Sequence, residues 1–229
     1  MASPTAGDWA TPLHLIEWLT SGMPASPPTP AQVYQLLLEG NRRFVGGTPV
    51  HPNQDADRRA ALAPAQRPFA VLFGCSDSRL AAEIIFDQGL GDLFVVRTAG
   101  HVVGAEALGS IEYGVSVFGA PLVVVLGHDS CGAVTAARRT CLEGVSPSGY
   151  VRDVVERVTP SVLAAHAAGT TDVDGIVDVH IERTVDLLLE RSSLLATEVA
   201  AGRCAVAGLS YRLAEGTVRL VAGKGALTA

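Results

Sequence analysis

A chain of 229 residues, 48% hydrophobic and only 17% charged, carries enough apolar material for a core and for a subunit interface. Its formal charge of -6 argues against a nucleic-acid or acidic-membrane surface, and its 5% aromatic content leaves the core to Val, Leu, Ile and Ala. The first basic residue is Arg42 and no apolar run reaches the length of a bilayer span. Nothing therefore reads as a secretory leader or an anchor, and the expected compartment is the cytoplasm.

In chain order, residues 1–28 read as an N-terminal extension, flexible or packed on a partner. Its "MPASPPTP" excludes regular structure, and Trp9, Leu13, Leu15, Ile16, Trp18 and Leu19 upstream suit a short amphipathic segment. A helix is predicted from Thr29, with Thr29 as N-cap, Pro30 in the first turn and Gln32 completing a capping box. Val33, Leu36, Leu37 and Phe44 mark its buried side, and "VGG" ends it. A second short helix is expected near Arg58–Leu62.

From Phe69 onward, "FAVLFG", "LFVVR", "PLVVVLG" and "CAVAGLSY" are nearly continuous apolar runs, the pattern of strands buried on both faces of a parallel sheet. Helices are expected between them at Leu80–Gln88, Ala105–Phe118, Gly132–Glu143 and from about Asp174 to Ala201. After Tyr211, "RLAEG" is a turn and "TVRLVAG" a last strand, paired antiparallel. The result is an α/β fold: four parallel strands, an antiparallel edge strand and flanking helices, with residues 29–229 as one domain.

The first predicted strand ends in "GCSDSR" and the third in "GHDSCG". Ligands of open α/β sheets bind beyond the carboxyl ends of the strands, so both polar clusters fall where a site is expected. Cys75, His128 and Cys131 supply two thiolates and an imidazole, a donor set that suits tetrahedral zinc. A fourth position remains: with water there the site is catalytic, and with Asp77 there it is closed. Cys141 and Cys204 read as small apolar core residues.

"CSDSR" followed by "GHDSCG" resembles the β-class carbonic anhydrases. The resemblance extends through "EGNRRFVGG", "AAEIIFDQGLGDLFVVRTAG", "GSIEYGV" and "VVVLGH", over roughly residues 30–222. It implies a mostly parallel sheet wrapped by helices, an interlocked homodimer or a homotetramer, and reversible hydration of carbon dioxide to bicarbonate and a proton by zinc-bound hydroxide. It also implies that Cys75, His128 and Cys131 are the zinc ligands and that Asp77 and Arg79 form the family's Asp–Arg pair. Arg79 would hold Asp77 off the metal, where its carboxylate accepts the hydrogen of the nucleophile; released, Asp77 could bind zinc itself.

By the same resemblance Gln66 would reach across a dimer interface to hydrogen-bond substrate, and Phe94, Ala99 and Tyr113 would line an apolar pocket. Arg97 and Tyr211 match two of the three residues of a bicarbonate-binding regulatory site known in another subgroup. The third position is Leu72 rather than tryptophan, which speaks for an open zinc site. Thr98 stands where the family often has asparagine. His101 is a candidate proton shuttle by its place beside "RTAG". Two other functions share this residue set: hydrolysis of carbon disulfide or carbonyl sulfide, and a non-catalytic, zinc-stabilised bicarbonate-binding module with Asp77 permanently on the metal.

Overall fold

The computed structural model describes residues 27–228. The segment around Trp9–Leu19 lies outside the described residues. Five strands form one sheet: β1 (Ala70–Cys75), β2 (Leu93–Thr98), β3 (Leu122–His128), β4 (Ala205–Tyr211) and β5 (Val218–Lys224). Their order is β2-β1-β3-β4-β5, with the first four parallel and β5 antiparallel to β4, as the sequence predicts. Every residue of β1, β3 and β4 is buried, so both faces of the sheet centre are covered, which is why these strands read as unbroken apolar runs.

The order has one functional consequence. From β1 the chain moves outward to β2, then returns to place β3 on the other side of β1. Connections leave the carboxyl ends of β1 and β3 in opposite directions, and a crevice opens between them at this switch point. Cys75 ends β1 and His128 ends β3.

The helices are α1 (Pro30–Val45), α2 (Ala56–Leu62), α3 (Ala82–Ile85), α4 (Ala105–Ser116), α5 (Gly132–Glu143), α6 (Val151–Ala167), α7 (Val173–Arg191) and α8 (Ser193–Ala200). The capping box of α1 forms: Gln32 N–H donates to Thr29 Oγ1 (3.2 Å) and Thr29 N–H to Gln32 Oε1 (2.8 Å). Three expectations are corrected. The helix expected over Leu80–Gln88 shrinks to the four residues of α3. The long helical region near Asp174–Ala201 divides at Ser192, whose hydroxyl caps α8 by accepting from Leu195 N–H. A helix not foreseen, α6, packs between α5 and α7, burying Val155, Val158, Val162 and Ala165 despite an internal Pro160.

The "EGNRRF" stretch binds the amino-terminal helix to the sheet. Asn41 is buried and its amide nitrogen donates to the carbonyls of Ile85 (3.2 Å) and Gly216 (2.8 Å), while its oxygen accepts from Val218 N–H (3.2 Å). Arg43 donates to the buried carboxylate of Asp87 (2.6 Å), which also accepts from the amides of Val50 and His51. Asn41→Ala leaves three backbone groups without their partner and is expected to cost about 2–3 kcal/mol, read as a lowered urea midpoint.

Candidate metal centre

Cys75, His128 and Cys131 converge at the crevice, their ligand atoms all within 4.8 Å of one another and all three side chains buried. β1 delivers Cys75 and the end of β3 delivers His128. Cys131 is the N-cap residue of α5 and is turned inward by Ser130, whose positive φ of 53° reverses the chain between His128 and Cys131. Asp129 holds that turn against the β4–β5 connection by accepting from Leu213 N–H (2.9 Å), and Ser130 N–H bonds Asp174 (3.2 Å).

The donor set fits a metal ion. His128 Nδ1 lies 2.8 Å from the Asp129 carbonyl, which can only accept, so Nδ1 carries the proton and Nε2 presents a lone pair. Nε2 is buried and has no partner among the described residues. A buried orphan acceptor beside two thiols is costly unless a cation completes it. The two thiols titrate against each other: contact with Cys131 draws the Cys75 pKa below the ordinary thiol range against the cost of burial, and the same contact, with burial, pushes Cys131 up. Burial alone would depress His128; the negative charge of the adjacent Cys75 thiolate outweighs it and raises its pKa.

Asp77 faces this triangle, with Oδ2 3.9 Å from His128 Nε2. Arg79 grips it at both oxygens, from Nε to Oδ1 (2.9 Å) and from a terminal nitrogen to Oδ2 (2.8 Å), and the Arg79 backbone N–H adds a third bond to Oδ1 (2.9 Å). The Arg79 hydrogen bond holds the Asp77 carboxyl well below the usual carboxylate range, so the group stays ionised.

The remaining residues singled out from the sequence fall in different places. Ala99 and Gln66 are exposed, the first just beyond β2 and the second in the loop entering β1. Phe94 and Tyr113 meet with Phe118 in a half-open aromatic cluster, ring centroids 5.1 to 6.2 Å apart. Phe94 is paired with Val71 whereas Thr98 is paired with Cys75, which sets Phe94 back by roughly 13 Å of strand from Cys75 of its own chain. Arg97 donates to the carbonyls of Cys75 (2.9 Å) and Asp77 (2.5 Å), bracing the segment from Cys75 to Asp77. Leu72 and Tyr211 are buried in β1 and β4. His101 is no surface shuttle: it is 1% exposed, stacked against His180 at 4.4 Å, and burial drives its pKa well below the usual value.

A model of the carbonic anhydrase family matches residues 70–218, which span both clusters. The chain belongs to the β-class carbonic anhydrases. It is 56% identical over 187 residues to "Carbonic anhydrase 2" of Mycobacterium tuberculosis, covering 82% of this chain and 90% of that one. It is 57% identical over 198 residues to a carbonic anhydrase of Mycolicibacterium smegmatis, covering 86% and 95%. Among solved structures, a tetrameric β-carbonic anhydrase of Sordaria macrospora shares the fold with a TM-score of 0.67 at 22% identity, covering 84% of this chain and 99% of that chain. The β-carbonic anhydrase of Coccomyxa does so at 0.65 and 24%, covering 82% and 87%.

Sequence reading assigned no bracing role to Arg97, because a strand-end arginine does not announce which carbonyls it will meet. Arg97→Met should speed loss of metal to a chelator by about 10-fold, since supports of ligand loops commonly carry that much. An unchanged rate would make the brace redundant.

Proposed function

We propose that this carbonic anhydrase works with one zinc ion held by Cys75, His128 and Cys131, and that Asp77 and Arg79 control the nucleophile. The observation that carries the reading is the lone pair of His128 Nε2, buried between two thiols and flanked by a carboxylate that Arg79 occupies on both oxygens. Bound there, zinc supplies a water whose pKa is lowered to ~7, and so a nucleophile at neutral pH.

The chain's own residues set how that nucleophile is used. The ionised Asp77 carboxylate can accept a hydrogen and cannot donate one. It would therefore take the hydrogen of the nucleophile and leave an oxygen lone pair turned toward carbon dioxide. Arg79 keeps Asp77 from becoming a ligand. With both carboxylate oxygens on Arg79, the arrangement favours a catalytic site over a binding module in which Asp77 closes the metal.

The substrate pocket is read as shared between two copies. Phe94 and Tyr113 sit too far up the sheet to line their own metal centre, yet they lie partly exposed beside the half-exposed apolar edge strand β2. A homodimer, or a homotetramer built from it, would bring Gln66 of the partner subunit, with the aromatic cluster, to the mouth of the site. An apolar wall with one amide suits carbon dioxide, which has no net dipole. Residues 29–229 are read as one catalytic domain around a single apolar core, and 1–28 as an arm. Four unpaired cysteines suit a reducing cytoplasm, and no described helix is long and apolar enough to cross a membrane.

Metal analysis of the purified protein should find about one zinc per chain. Asp77→Asn should keep that zinc but lose carbon dioxide hydration by about 100-fold in stopped flow; a full rate in this variant would remove Asp77 from the mechanism. Gln66→Ala should lower turnover by about 10-fold at unchanged zinc content, the worth of one hydrogen bond to substrate. Unaltered kinetics would return Gln66 to the solvated loop.

A further inference from the structure

We infer that His180, oriented by Ser161, is a positioning residue for the Cys75 thiolate, acting through the peptide groups of Gly100. The inference rests on the zinc reading above.

Three hydrogen bonds run in series through the buried interior. Ser161 Oγ on α6 lies 2.8 Å from His180 Nδ1 on α7. His180 Nε2 lies 2.9 Å from the Gly100 carbonyl, and Gly100 N–H donates to Cys75 Sγ at 3.3 Å. The direction of the series is fixed by chemistry. A carbonyl only accepts, so His180 carries its proton on Nε2, and Nδ1 must accept from the Ser161 hydroxyl. Both nitrogens are thus engaged, and burial keeps the ring neutral.

Gly100 is held where no other residue fits. Its φ is +63°, and a Cβ there would stand 2.6 Å from Ala133 Cβ, in the first turn of α5 just after Cys131. The 3-10 turn Ala99–His101 therefore packs against both the Cys75 sulfur and the start of α5. His180 holds the peptide plane that follows Gly100 by its carbonyl, and the φ of 63° and ψ of 23° at Gly100 tie that plane to the one before it, whose N–H points at the sulfur. An amide donor spreads the charge of a ligand thiolate and holds its lone pair in one direction, which favours the deprotonated ligand in a buried place.

The test uses the full chain loaded with zinc, and with cobalt(II) as a spectroscopic probe. His180→Phe keeps the ring volume and loses the donor; His180→Gln restores a donor near the Nε2 position. With His180→Phe, zinc affinity in chelator competition should fall by about 10-fold, and the thiolate-to-cobalt charge-transfer band should move to longer wavelength, since an unbonded sulfur lone pair lies higher in energy. His180→Gln should recover most of both. If His180→Phe does not fold, Ser161→Ala decides, with a shift of the same band in the same direction by a smaller amount. A band and an affinity at wild-type values in a folded variant overturn the inference. Wild-type protein that binds neither metal would overturn the zinc reading, and this inference with it.

Discussion

The register between β1 and β3 sets the distance between the two halves of the site. Gly74 lies opposite Leu126, which brings the end of β1 level with Gly127 and His128 at the end of β3. A slip of one residue would turn Cys75 to the other face of the sheet and away from the imidazole. The register is enforced by packing on the face that α4 and α7 cover. Gly127 has no room for a side chain, because a Cβ would stand 2.5 Å from Ile181 of α7. Gly114 of α4 is equally confined, with Val71 of β1 2.4 Å from where its Cβ would be. Two helices on one face thus hold the strands whose ends carry the proposed ligands.

Around those strand ends, charge is balanced locally. Two thiolates would neutralise a divalent ion, Arg79 neutralises Asp77, and His128 enters as a neutral donor. A neutral substrate such as carbon dioxide meets no uncompensated charge among these groups.

The strands were legible because β1, β3 and β4 are buried on both faces, so their sequences are unbroken apolar runs. The three donors were legible because their residue types are rare and fall at strand ends. What escaped reading depends on contacts distant in sequence. Asn41 meets Gly216, and His180 meets Gly100, through hydrogen bonds that no local pattern encodes. The helix α6 escaped for a local reason: Pro160 at its middle reads as a breaker, yet Val155, Val158 and Val162 keep a helical stripe that α5 and α7 cover. His101 was misplaced because position beside a motif says nothing of burial.

The two cysteines proposed as ligands receive different support, and the difference follows from where the chain delivers them. Cys131 caps the amino end of α5, where the dipole of a twelve-residue helix favours negative charge. Cys75 ends a strand, which offers no such field, and the amide of Gly100 takes its place. An amide is a sharper tool than a helix end, because its effect depends on aim. Support by a helix end survives small shifts of the side chain, whereas support by a single N–H is lost when the peptide rotates. The burden of rigidity therefore falls on the Gly100 turn, and it is that turn which Ala133 confines on one side and His180 holds on the other.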